Sequence, residues 1–111
     1  MVAKLNGDIK GYLYGFVINS GDVCIKKIAS LDSMFVDEQF RGKECGSKLI
    51  KEFKIWCKKQ GVSYIELKVF NLNDNAIALY QKEKFLHAKI INDYRIMRTI
   101  LNYQNVIKKF K

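Results

Sequence analysis

Phe35-Val36-Asp37-Glu38-Gln39-Phe40-Arg41-Gly42-Lys43-Glu44-Cys45-Gly46-Ser47-Lys48-Leu49 is the stretch on which the fold turns. Its first residues close a run of apolar and β-branched residues that suits a strand. From Cys45 onward, Cys45, Leu49, Ile50, Phe53, Trp56 and Cys57 recur at steps of three and four, the period of an amphipathic helix. Between strand and helix lies a short loop holding Arg41, Gly42, Lys43 and Gly46. Glycines at such a point let successive backbone N–H groups turn toward one spot. The helix N-terminus adds the positive end of its dipole. Phosphate is the ligand this arrangement favours, although a glycine-containing strand-to-helix turn also arises for packing reasons.

Upstream, Asn6-Gly7 is a two-residue hairpin turn joining Val2–Leu5 to a longer strand, Ile9–Ile18. Asn19-Ser20-Gly21-Asp22 makes the next turn, and Val23–Val36 follows as a long strand. Ile25, Ile28, Leu31 and Met34 do not alternate strictly, so a bulge is expected within it. Downstream, Lys58, Lys59 and Gln60 followed by Gly61 form a helix ending. Tyr64–Phe70 is a strand with Ile65, Leu67 and Val69 on one face. A strand–helix–strand order implies a crossover, so it should run parallel to Val23–Val36. Asn71–Asn75 holds an N-cap for a short helix reaching about Lys82, with Ala76 and Tyr80 at i, i+4. Phe85–Ile91 and Tyr94–Leu101 are strands around an Asn92-Asp93 turn. The expected architecture is an α/β (α+β) domain: an antiparallel meander, then β-α-β-α-β-β, with at least one buried parallel pair. Residues 1–101 form one domain, and 102–111 a basic C-terminal tail.

The chain has 111 residues, room for a single domain. Hydrophobic residues at 49% and charged residues at 28% exclude a disordered tail. No apolar run reaches the ~20 residues of a membrane span, and Met1–Lys10 has no signal-peptide stretch, so a cytoplasmic location without membrane contact is expected. Cys24, Cys45 and Cys57 match no metal-binding spacing and read as reduced thiols. The net charge is +9, and more than half of it falls between Arg41 and Lys59. Such a charge favours anionic partners, among them nucleic acid. A nucleic-acid binder would lose affinity steeply with salt, but no nucleic-acid motif is recognisable. The lysines from Lys51 onward read equally well as a solvated helix face.

Arg41-Gly42-Lys43-Glu44-Cys45-Gly46 resembles the acyl-CoA pyrophosphate loop of the GNAT acyltransferase superfamily, whose pattern is Arg or Gln, two residues, Gly, one residue, then Gly or Ala. Leu31-Asp32-Ser33-Met34-Phe35-Val36 is similar to that family's fourth strand. Asn73-Asp74-Asn75-Ala76-Ile77-Ala78-Leu79-Tyr80-Gln81-Lys82-Glu83-Lys84-Phe85 is similar to its second signature, in which Asn, Ala, Tyr and a Gly-Phe pair recur. The resemblance runs from about Gly7 to Leu101. It departs from the pattern at Glu44 and Lys84, both at usual glycine positions. The strand and helices that precede the meander in the family also have no counterpart in this sequence.

The resemblance implies a sheet with a splayed parallel strand pair and transfer of an acetyl group from acetyl-CoA to a primary amine, by direct attack in a ternary complex. It implies that Tyr80 protonates the departing CoA sulfur; a phenol with an ordinary pKa near 10 holds its proton at neutral pH. Asp32 stands where the family often places an acidic residue that takes a proton from the acceptor amine, with Glu38 and Ser33 as weaker candidates. Arg41, Gly42, Lys43, Glu44, Cys45, Gly46 and Ser47 would surround the pyrophosphate. Glu44 opposes it electrostatically, while Arg41, Lys43 and Lys48 offset that charge. Met34, Phe35 and Val36 would meet the pantetheine arm through their backbones, and Asn73 would stand near it, or cap its helix. Beside cations at a helix start the Cys45 thiol would acidify, yet its helix-period position places it in packing. His87 reads as structural and Trp56 as core. The acceptor is an amine-bearing small molecule or a peptide, and exposed strand edges fit a homodimer. The other reading is a catalytically weak or inactive GNAT-like module that binds CoA or a protein.

Overall fold

The computed structural model describes residues 2–4, 11–19, 27–36 and 45–101. Its elements are β1 (Val2–Lys4), β2 (Gly11–Asn19), β3 (Lys27–Val36), α1 (Cys45–Lys59), β4 (Tyr64–Phe70), α2 (Asp74–Lys82), β5 (Leu86–Ile91) and β6 (Tyr94–Ile100). The order of strands and helices is the expected one. The Asn6-Gly7 turn, residues 20–26, Glu38, residues 41–44 and the tail 102–111 lie outside the described residues.

The strands form one mixed sheet in the order β1-β2-β3-β4-β6-β5. β3 and β4 are its parallel pair, as the crossover through α1 requires. β2 alternates cleanly: Leu13 is buried, whereas Tyr12, Tyr14, Phe16 and Ile18 on the other face are exposed. The buried face receives the apolar stripe of α1. Leu49, Ile50, Phe53 and Cys57 pack with Leu13, Ala29, Leu31, Ile65 and Leu67, and Ile77, Tyr80, Phe85 and Met97 extend the same core. Trp56 is half-buried at its margin, stacked on Phe53 with 6.0 Å between centroids.

Gly15 is what lets α1 lie this close to the sheet. A Cβ there would fall 2.3 Å from Phe53 Cζ and 2.8 Å from the Ser30 carbonyl oxygen.

Both helices end in the same hydrogen-bonded motif. In α1 the Gly61 N–H donates to the Lys58 carbonyl at 3.1 Å and the Val62 N–H to the Cys57 carbonyl at 3.0 Å. In α2 the Lys84 N–H donates to the Gln81 carbonyl at 3.0 Å and the Phe85 N–H to the Tyr80 carbonyl at 2.9 Å. These are the two bonds of a Schellman cap, which needs a left-handed residue at the turning point. Gly61 has φ 76° and Lys84 has φ 72°. Phe85, expected to open a strand, therefore belongs to the cap of α2, and β5 starts one residue later because the Phe85 N–H is already bonded to Tyr80.

Candidate active site

The parallel register runs from Ile28↔Tyr64 to Leu31↔Leu67 and stops there. Beyond it, β3 continues to Val36 against β2, and β4 continues to Phe70 against β6. The sheet thus opens between Asp32–Val36 on one side and Lys68–Phe70 on the other. The cause is local. Tyr14 pairs with Ser33 and Gly15 with Leu31, so Asp32 is an extra residue on β3. A bulge of this kind bends its strand and raises its twist. The expected bulge therefore falls at the residue where parallel pairing ends.

The first turn of α1 lies beside this opening. A Cβ on Gly46 would sit 2.9 Å from Leu79 Cδ2 and 3.7 Å from Met34 Cε. Glycine at this position thus lets three elements converge: the start of α1, β3 past its bulge, and α2. Ser47, next in α1, is 2% exposed, and its hydroxyl has no hydrogen-bond partner among the described residues. A buried polar group normally has a partner, so this hydroxyl requires a donor or acceptor from beyond the described residues.

Tyr80 follows Leu79 in α2. It is buried, and its ring meets that of Phe85 edge to face at 5.9 Å. Burial pushes its phenol above the ordinary tyrosine value, because the phenolate would lose hydration. The group is therefore held protonated. Asp32 is exposed at the bulge. Met34 is half-buried against the core, Val36 and Ser33 are half-buried, and Phe35 is exposed and stacked on Tyr12 at 5.8 Å. Asn73 caps α2, its side-chain oxygen accepting from the Ala76 N–H at 3.2 Å. Cys45 is half-buried with a free thiol at the first position of α1. His87 is exposed on β5. Arg41, Gly42, Lys43 and Glu44 lie outside the described residues.

One lysine departs from the solvated-face expectation. Lys54 is half-buried, its ammonium donates to the Glu83 carbonyl, and it lies 5.5 Å from the centroid of the Phe85 ring. Its placement at i, i+4 from buried Ile50, beside Phe53, was the available signal for this contact. Burial lowers its pKa, opposed by the nearby Glu83 carboxylate and reinforced by Lys58, Lys84 and Lys51.

The family model described as acetyltransferase (GNAT) family matches residues 1–85, which include both the strand-to-helix turn and α2. The chain belongs to the GNAT acetyltransferase family. An uncharacterized N-acetyltransferase of Methanocaldococcus jannaschii is 27% identical over 93 residues, covering 84% of this chain and 41% of that protein. This GNAT chain thus spans about two-fifths of that relative's length. Among solved structures, Naa20 of Chaetomium thermophilum in complex with a bisubstrate analogue superposes with a TM-score of 0.80 at 18% identity, covering 97% of this chain and 68% of the other. The NatC complex bound to Gag peptide and CoA gives a TM-score of 0.72 at 17% identity, covering 90% and 65%. At these identities the two structures speak to the GNAT fold. Among the described residues no helix is long and apolar enough to cross a membrane.

Proposed function

We propose that this GNAT chain is an N-acetyltransferase that moves an acetyl group from acetyl-CoA to a primary amine by direct attack in a ternary complex. The observation that carries the reading is the coincidence of the sheet's opening, after Leu31↔Leu67, with the start of α1 and its buried Ser47 hydroxyl, which has no partner among the described residues. An opened strand edge accepts an amide-bearing arm, and a helix N-terminus with a buried hydroxyl accepts a phosphate. The residues fit CoA on both counts.

In this reading Ser47, Gly46, Cys45 and the Arg41–Glu44 segment hold the pyrophosphate, with Arg41, Lys43 and Lys48 offsetting the charge of Glu44. Met34, Phe35 and Val36 orient the pantetheine arm along β3. Asn73 caps α2, the helix that carries Tyr80.

Acetyl-CoA, when bound, supplies an acyl carbon activated as a thioester. Asp32, exposed at the bulge, accepts the proton that the amine nitrogen loses as the carbon–nitrogen bond forms. Tyr80 donates its phenolic proton to the sulfur as the carbon–sulfur bond breaks. Its burial suits that role, since a phenol kept above its ordinary value holds its proton at neutral pH. The acceptor class is a small-molecule or peptide amine. The fold likeness to a complex bound to Gag peptide and CoA supports the peptide.

The test is calorimetric titration with acetyl-CoA together with thiol release across a panel of amines and peptides with free N-termini. Saturable binding and amine-dependent release are expected. Binding without release for any acceptor would leave a CoA-binding module, and no affinity at millimolar CoA would remove the site.

A further inference from the structure

We propose that Lys54, through its hydrogen bond to the Glu83 carbonyl and its seat over the Phe85 ring, positions the Tyr80 phenol; this rests on the reading of Tyr80 as the proton donor. Four contacts link the two residues. The Lys54 ammonium donates to the carbonyl of Glu83, the C-cap of α2. It also lies 5.5 Å from the centroid of the Phe85 ring. Phe85 in turn donates its N–H to the Tyr80 carbonyl at 2.9 Å and packs its ring on the Tyr80 ring.

The cap explains why a donor is needed from another helix. The last carbonyls of a helix have no partner within it. Here the Leu79, Tyr80 and Gln81 carbonyls are taken by the N–H groups of Glu83, Phe85 and Lys84. The Glu83 carbonyl comes after that set, in a residue only 6% exposed, and Lys54 of α1 satisfies it. Lys54 therefore ties α1 to the cap at a point one ring away from the phenol. A cation near a helix C-terminus is also favoured by the dipole. The ammonium is held there against partial desolvation, which lowers its pKa. A lysine whose place was on the solvated face would not bear that cost.

Lys54 is remote from the reacting atoms in this scheme and acts through Phe85. Lys54→Met keeps the apolar stem and removes the donor and the charge. With the amine that gives the fastest thiol release, kcat should fall about ten-fold while KM for acetyl-CoA stays within about two-fold. Lys54→Arg should recover most of the loss. In a Tyr80→Phe background, Lys54→Met should change kcat by less than about two-fold, because the group it positions is gone. A second readout needs no acceptor: NMR of protein carrying 13Cζ-tyrosine, with the Tyr80 resonance assigned by Tyr80→Phe. Lys54→Met should move that resonance toward the position of exposed tyrosines and broaden it, and Lys54→Arg should leave it in place. Lys54→Gln, with a donor on a shorter stem, substitutes if Lys54→Met does not fold. A Tyr80 resonance unmoved by Lys54→Met, or an equal loss of kcat in both backgrounds, overturns the proposal. Wild-type kcat in Tyr80→Phe alone would instead remove the proton-donor reading, while the NMR shift still decides whether Lys54 seats the ring.

Discussion

Phe85 holds Tyr80 twice, by an N–H donated to its carbonyl at 2.9 Å and by an edge-to-face ring contact at 5.9 Å. Both contacts belong to one Schellman cap, in which the residue after the left-handed position commonly packs against the helix's last turn. A helix-ending device thereby orients the side chain on which the proposed chemistry depends. The same motif closes α1, where Val62 and Cys57 are the corresponding buried pair.

Lys84→Gly should stabilise the protein by about 1 kcal/mol and raise Tm by about 4–6 °C. Lys84 adopts φ 72°, where a Cβ is unfavourable, whereas α1 uses glycine at the equivalent place. Thermal unfolding of the two proteins checks this, with Gly61→Lys expected to move Tm the other way.

Tyr80→Phe should lower kcat about 10²-fold and leave CoA affinity within about two-fold. The ring contact with Phe85 survives the change, since only the hydroxyl is lost. Single-turnover thiol release and calorimetry separate the two quantities. A parallel loss of affinity would mean the hydroxyl holds ligand rather than supplies a proton.

Ser47→Ala should have opposite effects on stability and on binding. The buried hydroxyl has no partner among the described residues, so its removal should leave the free protein unchanged or up to about 1 kcal/mol more stable. If that hydroxyl donates to a CoA phosphate, affinity should drop about five- to ten-fold. Urea unfolding without ligand and titration with CoA give the two signs. Lower stability with unchanged affinity would place the hydroxyl in packing.

Gly15→Ala should cost about 2–3 kcal/mol, because its methyl would overlap Phe53 Cζ at 2.3 Å and crowd the Ser30 carbonyl oxygen at 2.8 Å. Phe53→Leu in the same chain relieves the first overlap and not the second. The double variant should therefore be less destabilised than the sum of the two single changes, as measured by denaturant midpoints.

Stability should decline at alkaline pH through Cys57. Its thiol is fully buried, and desolvation pushes its pKa from 9.0 up to about 12. Well below pH 9 both native and unfolded chains hold the proton. Above it the unfolded chain releases a proton that the native chain keeps, so stability falls by up to about 1.4 kcal/mol per pH unit until the native thiol titrates. Cys57→Ala lacks this contribution. The stability gap between wild type and variant should narrow by about 1 kcal/mol between pH 9 and pH 10 in urea unfolding.

Much of this architecture was legible along the chain. Ile65, Leu67 and Val69 alternate in β4, the three- and four-residue steps mark α1, and Gly61 ends it, because period and turn chemistry are properties of neighbouring residues. The two signatures around Gly46 and Tyr80 likewise indicated the family before any packing was visible. The fate of Asp32 as the extra residue of the bulge, the end of parallel pairing at Leu31↔Leu67 and the burial of the Ser47 hydroxyl depend on what lies across the sheet. Lys54 is the clearest case. Its charge marks a solvated residue, and only the approach of α2 to α1 brings the Glu83 carbonyl within its reach. Sequence determines which backbone groups each local motif satisfies; tertiary contact decides which distant side chain satisfies the groups left over, since burial removes the water that would otherwise do so.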